Sequence, residues 1–166
     1  LALLLTYALL LFPFDPQTRQ LLLPMVATQI LWINLVATVA LALPLAFEAK
    51  ERDIMARPPR DPREPVLSRF VVLRTLTAAI VMTAGAVALF QWEYAENLRR
   101  GLPQEQALAL AQTMAVTAVI AFQIFYLLNC RSLRESVFSI GLFSNPWIFV
   151  GILALLALQA AFIYAP

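Results

Sequence analysis

The sequence predicts an all-α membrane protein, a polytopic transmembrane helical bundle with about four complete helices and one partial helix at the amino end. Of its 166 residues, 61% are hydrophobic and only 13% are charged. A soluble domain carries about 25% charged residues, so this chain needs lipid as its solvent. The charged residues also divide it into apolar segments of about 20 residues, the length that an α-helix needs to cross a bilayer. Residues 1–166 are therefore predicted to form a single transmembrane domain.

Five apolar segments define the predicted helices. Residues 1–12 are too short to cross a bilayer, and they lack a starting Met, a basic beginning and a cleavage site. They are predicted to be the outer half of a helix that begins upstream, and not a signal peptide. Four complete helices follow at about 24–47, 66–91, 107–129 and 146–165. The helix at 107–129 carries the most polar side chains, so we expect it to face protein.

The distribution of Lys and Arg predicts the orientation of these helices. Of the twelve basic residues, nine lie in or beside the segments 48–65 and 130–145, and three lie on the opposite side. Cytoplasmic loops carry the excess of Lys and Arg. The two segments are therefore predicted to be cytoplasmic loops of an integral, multi-pass membrane protein. As a separate expectation, its location is the plasma membrane of a bacterium.

Composition excludes several functions for this chain. It has no histidine, so it lacks Ser/His and Cys/His nucleophilic pairs, and the single Cys130 cannot form an internal disulfide or a two-cysteine metal site. Its four glycines fall in no phosphate-binding pattern. We therefore expect no catalytic residue and no cofactor site in this chain. A net charge of +2 is too small to indicate nucleic acid, so the lipid bilayer is the expected partner.

A few polar residues lie inside the predicted helices. Asn34 and Thr38 are four residues apart, so they share a face of one helix. Gln123 is the deepest strongly polar residue of the helix at 107–129. Each could form a hydrogen bond between helices or could bind a ligand. Pro44 deprives the Ala40 carbonyl of its helical partner, and that carbonyl could serve a cation or mark only a kink.

The segment 48–65 has an unusual composition. It holds five basic residues, five acidic residues and four prolines. Prolines forbid a regular helix, and the mixed charges could form salt bridges with a cytoplasmic domain. The segment could be a rigid docking strap or a solvated polar loop.

Two blocks of this sequence resemble one family. The first block is Leu31-Trp32-Ile33-Asn34-Leu35-Val36, which Phe47-Glu48 follows, and the second is Asp53-Ile54-Met55 with Arg57-Pro58-Pro59-Arg60. They are similar to L-W-x-N-L-x-T-D and D-x-M-x-x-P-P-R, the sixth transmembrane helix and following loop of type II P-type cation-transporting ATPases. Both blocks occur in order and at the expected separation. Downstream, the helix count, the loop lengths and the Asn145-Pro146-Trp147 helix entry also agree.

The resemblance implies a place in a larger enzyme. The chain would be the C-terminal transmembrane region of an ATP-driven cation pump, from the end of the fifth through the ninth helix. It would supply part of the ion pathway and its support, and it would not be catalytic alone. ATP and Mg²⁺ are then expected for the full-length protein. Further expected partners are the transported inorganic cation and the remaining helices and cytoplasmic domains of the parent ATPase, against which residues 48–65 could brace.

The resemblance also implies a set of cation ligands. Asn34 stands where the family has an ion-coordinating Asn, and Gln123 lies near the position of an eighth-helix Glu or Gln. Thr38 stands where calcium and sodium/potassium pumps have an Asp. A hydroxyl in place of this carboxylate removes a full charge, and divalent ions favour carboxylates. We therefore expect a site of low negative charge, for a monovalent ion or for a divalent ion bound with fewer carboxylates.

Two other classes of protein stay open at this point. The chain could be a non-catalytic membrane scaffold subunit, although its truncated first helix argues against this. It could also be a fragment of a secondary transporter or channel, with Asn34, Thr38 and Gln123 along a pore. Inverted repeats would favour that class, and the sequence shows none.

Overall fold

The computed structural model describes residues 15, 21–48, 68–131, 141 and 143–164. Four helices lie in these ranges: α1 (Ala27–Leu45), α2 (Arg69–Arg99), α3 (Gln104–Cys130) and α4 (Pro146–Tyr164). Each is long and apolar enough to cross a membrane, and the described residues form no β-strand. The all-α class and the four complete helices are thus confirmed. The partial helix predicted at 1–12 lies outside the described residues, as do most of the segments 48–65 and 130–145.

Helix α2 ends at Arg99, eight residues beyond the predicted end at residue 91. Its additional turns are polar and are held by side chains three and four residues apart. Glu96 pairs with Arg99 at 3.5 Å and with Arg100 at 3.1 Å, and such pairs stabilise a helix in water. Hydropathy therefore located only the apolar part of a longer helix.

Helices α2 and α3 form an antiparallel pair with a short connection. Gly101, at φ +80°, ends α2, and its N–H donates to the Leu98 carbonyl at 3.0 Å. The Leu102 N–H donates to the Asn97 carbonyl at 3.1 Å, which completes a Schellman motif. At the other end of the pair, the Arg74 guanidinium donates to the Asn129 carbonyl. A cation at the carboxyl end of α3 also complements its helix dipole.

Small side chains let α2 and α3 approach closely. Ala107, Ala111 and Ala115 of α3 lie four residues apart and are fully buried. Ala111 and Ala115 share a cluster with Phe90 of α2, which is also fully buried. Stripes of small residues are typical of tightly packed membrane helices.

The larger core joins α1 to both α3 and α4. Ile33, Ala37 and Leu41 are buried at intervals of four residues along α1. Their cluster includes Val116, Val119, Ile120 and Leu127 of α3, and Ile148 and Leu155 of α4. Helix α3 holds more buried residues than any of the other three.

The backbones of α1 and α4 meet at Gly151. A Cβ atom added to Gly151 would lie 2.5 Å from the Ala40 carbonyl oxygen and 2.6 Å from Pro44 Cγ. The carbonyl that Pro44 frees is therefore packed against the backbone of α4. This contact favours the packing interpretation of Pro44 over a role in cation binding.

Candidate cation site

Helix α1 changes its winding at the candidate residues. It is α-helical over Ala27–Trp32, forms a π turn over Ile33–Ala37 and is α-helical again over Thr38–Leu45. The Thr38 backbone N–H donates to the Ile33 carbonyl, five residues earlier. The Thr38 Oγ1 hydroxyl donates to the same carbonyl at 3.3 Å. Single π turns within α-helices are frequent at functional sites, and this one contains Asn34.

Asn34 and Thr38 lie on one side of α1. Each directly follows a buried residue, Ile33 or Ala37, and each is itself exposed. No described residue forms a hydrogen bond with the Asn34 side chain. The structure therefore places both residues on the side of α1 that the other described helices do not cover.

Gln123 lies on α3, and it is as many residues from the end of its helix as Thr38 is from the end of α1. Each is seven residues from the end of its helix, Cys130 or Leu45, which is roughly 10 Å at 1.5 Å per residue. Three residues before Gln123, Ile120 belongs to the cluster that packs on α1. Its Oε1 atom is buried without a hydrogen-bond partner. A buried, unpaired acceptor costs roughly 1–3 kcal/mol.

These three residues alone would not complete the coordination shell of a cation. Their side chains offer neutral oxygens from two helices, and no hydrogen bond between described residues joins them. The described residues contain no group of three or more Cys, Asp or Glu side chains that could hold a metal ion. Calcium takes six to eight oxygen ligands, so a cation bound here would need ligands from other helices or from water.

A polar network joins three helices next to the π turn. The Trp32 indole N–H donates to Gln159 Oε1 of α4 at 3.0 Å, and Gln159 Nε2 donates to Thr117 Oγ1 of α3 at 3.4 Å. The Thr117 hydroxyl donates to the Thr113 carbonyl at 2.8 Å. Sequence reasoning missed Gln159. Gln159 could have been noticed in the sequence, because it is the one amide side chain in an otherwise apolar α4.

A buried ion pair joins the ends of α1 and α3. The Arg131 guanidinium binds the Glu48 carboxylate, with the closest approach at 2.7 Å, and their side chains are 0% and 12% exposed. Arg131 also donates to the Gly141 carbonyl at 3.1 Å and to the Ser144 hydroxyl. In the sequence, Arg131 indicated only topology, because its tertiary partner is 83 residues away.

Asn145 links the ion pair to the start of α4. Its Nδ2 donates to Glu48 Oε2 and to the Pro44 carbonyl, both at 3.0 Å. Its Oδ1 accepts from the Trp147 backbone N–H at 3.1 Å, which is the pattern of a helix cap followed by Pro at the first position. The ends of α1, α3 and α4 therefore meet in one polar cluster, which we call the end cluster: Glu48, Arg131, Ser144 and Asn145.

Comparison with known proteins agrees with this architecture. The family model described as "Cation transporting ATPase, C-terminus" matches residues 22–166. The chain belongs to this family of cation-transporting ATPases. The resemblance to P-type ATPases seen in the sequence is thereby confirmed, and the chain is the C-terminal membrane part of such an enzyme.

Individual relatives carry related names. The probable cation-transporting ATPase F of Mycobacterium tuberculosis is 43% identical over 144 residues, 87% of this chain and 15% of the relative. The calcium-transporting ATPase type 2C member 2 of Rattus norvegicus is 37% identical over 143 residues, 86% of this chain and 14% of the relative. The cation-transporting ATPase pma1 of Synechocystis sp. is 34% identical over 114 residues, 69% of this chain and 12% of the relative. The chain thus spans about a seventh of the length of these ATPases.

Glu48 of the end cluster leads us to expect a stability that falls at acid pH. Burial alone would raise the pKa of Glu48, but hydrogen bonds from Arg131 and Asn145 and the charge of Arg131 lower this pKa below its ordinary value of 4.5. A lowered folded-state pKa contributes stability that is complete above the unfolded pKa and is lost as the pH falls through the folded pKa. We expect the unfolding temperature of the full-length protein to decrease when the pH is lowered past about 4.5. The decrease should be smaller in Glu48→Gln. Equal pH profiles of the two proteins between about pH 3.5 and 6.5 would contradict this.

Proposed function

We propose that this chain forms part of the ion pathway of an ATP-driven cation pump, together with the helices that support that pathway. The observations that carry the proposal are the buried, unpartnered Gln123 Oε1 of α3 and the π turn of α1 that holds Asn34. The chain lacks the Asp-Lys-Thr-Gly-Thr loop, which is the sequence that is phosphorylated in the P-type ATPases it resembles. ATP, Mg²⁺ and phosphoryl transfer therefore belong to other domains of the parent ATPase.

Each proposed ligand has an oxygen free to accept a cation. The amide of Asn34 has no hydrogen-bond partner among the described residues. The Thr38 hydroxyl donates a hydrogen bond to the Ile33 carbonyl. The lone pairs of its oxygen therefore stay available to a cation. A cation bound to Gln123 Oε1 would provide the interaction that this buried atom lacks in the structure.

The neutral ligand set bears on the class of ion. Asn34, Thr38 and Gln123 bring no negative charge to the site. High affinity for divalent ions usually depends on carboxylates, so this chain would favour a monovalent cation, or a divalent cation that takes its carboxylates from other helices of the parent.

Ion binding and ATP hydrolysis would be coupled through the whole pump. Cation occupancy in the membrane and phosphorylation in the cytoplasm would bias the same global states, and such a linkage is reciprocal. The excess of Lys and Arg supports a cytoplasmic location for residues 48–65 and 130–145, facing the phosphorylation machinery. Relatives from Mycobacterium and Synechocystis support a bacterial plasma membrane.

Ion-stimulated ATP hydrolysis by the purified full-length protein tests the proposal. Na⁺, K⁺, Ca²⁺ and Mn²⁺ are titrated separately against wild type, Asn34→Ala and Gln123→Leu. We expect one cation to stimulate wild type, and each variant to raise its half-saturating concentration by about tenfold, equivalent to about 1.4 kcal/mol of lost binding free energy. Maximal rates at saturating cation should change less.

Gln112→Leu is the matched control for Gln123→Leu. Gln112 is also on α3, but its side-chain amide donates a hydrogen bond to the Leu23 carbonyl at 2.9 Å. Its replacement should therefore leave cation affinity unchanged. Unchanged affinity in Asn34→Ala would remove Asn34 from the site. Gradient-driven flux that needs no ATP and resists vanadate would instead identify a secondary transporter.

A further inference from the structure

We propose that Gln159 is a positioning residue for the cation site, holding the Trp32 indole and, through it, the π turn that carries Asn34. This inference rests on the proposed function of Asn34. Gln159 itself belongs to α4, and its role is to act through Trp32 without touching the cation.

Trp32 is anchored to α4 at two points. Its indole N–H donates to Gln159 Oε1 at 3.0 Å. Its ring stacks on Phe162, with centroids 4.6 Å apart and planes inclined by 18°. One turn of α4 thus supplies both an acceptor for the edge of the indole and an apolar surface for its face.

The orientation of the Gln159 amide follows from its two partners. An indole N–H can only donate, so the atom facing Trp32 must be the amide oxygen. The amide nitrogen then donates to Thr117 Oγ1 at 3.4 Å, and the Thr117 hydroxyl donates its own hydrogen bond to the Thr113 carbonyl. Gln159 is 5% exposed, so an apolar replacement would leave the indole N–H without a partner in a low-dielectric surrounding.

The anchor lies directly before the change in helical winding. Trp32 ends the α-helical segment Ala27–Trp32, and the π turn begins at Ile33. A π turn replaces the regular hydrogen bonds of an α-helix by bonds between residues five apart, and such turns are rare. Fixing Trp32 on α4 fixes the rotation of α1 at the start of that turn. Loss of the anchor would let the turn relax and displace Asn34, two residues further on.

The test compares cation affinity with maximal rate in the full-length ATPase. Gln159→Met removes the amide with little change in size, and Trp32→Phe removes the N–H donor but keeps a ring for Phe162. Na⁺, K⁺, Ca²⁺ and Mn²⁺ are titrated as for Asn34→Ala. We expect each variant to raise the half-saturating concentration of the stimulating cation roughly three- to tenfold, the range for one hydrogen bond between membrane helices. The double variant should be no worse than the more affected single variant, because both remove the same bond.

The outcomes separate the two proposals. Gln112→Met, the control for the loss of a glutamine from a membrane helix, should leave affinity unchanged. If Gln159→Met and Trp32→Phe lower only the yield or the maximal rate, while Asn34→Ala lowers affinity, Gln159 is a packing residue and the inference is wrong. If Asn34→Ala also leaves affinity unchanged, or if no cation stimulates wild type, the proposed function fails and the inference falls with it.

Discussion

Replacing Arg131 by Leu is expected to lower the free energy of unfolding of the ATPase membrane domain by about 3–5 kcal/mol, the cost of leaving one charge of a buried pair unpaired. The Arg131 side chain is fully buried and lies 2.7 Å from Glu48. It also donates to the Gly141 carbonyl at 3.1 Å. The variant would strand the Glu48 carboxylate with Asn145 as its remaining partner in the end cluster. Detergent-solubilised full-length protein, unfolded by heat and by SDS, provides the measurement.

Two further variants separate charge from packing. Arg100→Leu breaks a pair with Glu96 whose arginine side chain is 63% exposed, and such surface pairs contribute about 0–1 kcal/mol. Glu48→Leu combined with Arg131→Leu removes both charges, so we expect it to be more stable than Arg131→Leu alone. Equal losses in Arg131→Leu and Arg100→Leu would show that the buried pair contributes no more than an exposed one.

The fold could be predicted because lipid restricts the solutions open to an apolar chain. Backbone polar groups must be satisfied within each segment that crosses a bilayer, so four long apolar segments led directly to four helices. The end of α2 could not be located in this way. Beyond Gln91 the helix continues through polar residues such as Glu96 and Asn97, where side-chain pairs, and no longer hydropathy, maintain it.

The candidate site residues could be selected from the sequence, but their surroundings could not be predicted from it. Asn34 and Gln123 are visible as polar residues in apolar segments. The π turn, the Trp32 contact with Gln159 and the ion pair of Arg131 with Glu48 depend on partners up to 127 residues apart. A single sequence carries no signal for such pairs. An isolated amide in α4 indicates that a partner exists, but it does not identify Trp32 as that partner.

Replacing Gly151 by Ala is expected to destabilise the protein through the contact between α1 and α4. The new Cβ would lie 2.5 Å from the Ala40 carbonyl oxygen and 2.6 Å from Pro44 Cγ. The first of these atoms is backbone and the second belongs to a rigid ring, so neither can move aside without moving α1. Forcing an extra methyl group into a packed interior costs about 1–3 kcal/mol. The thermal and SDS unfolding of full-length Gly151→Ala measures this cost.

Gly85→Ala supplies the matched control for that substitution. Gly85 lies within α2, and a Cβ added there would meet no atom within 4 Å. Because Ala is a better helix former than Gly by about 1 kcal/mol in water, Gly85→Ala should be as stable as wild type or slightly more stable. Both sites are helical and neither has a positive φ. The difference in free energy of unfolding between the two Gly→Ala variants therefore measures the steric cost of the added methyl group at Gly151. If Gly151→Ala is as stable as Gly85→Ala, α1 and α4 do not approach this closely, and the freed Ala40 carbonyl regains a possible role in cation binding.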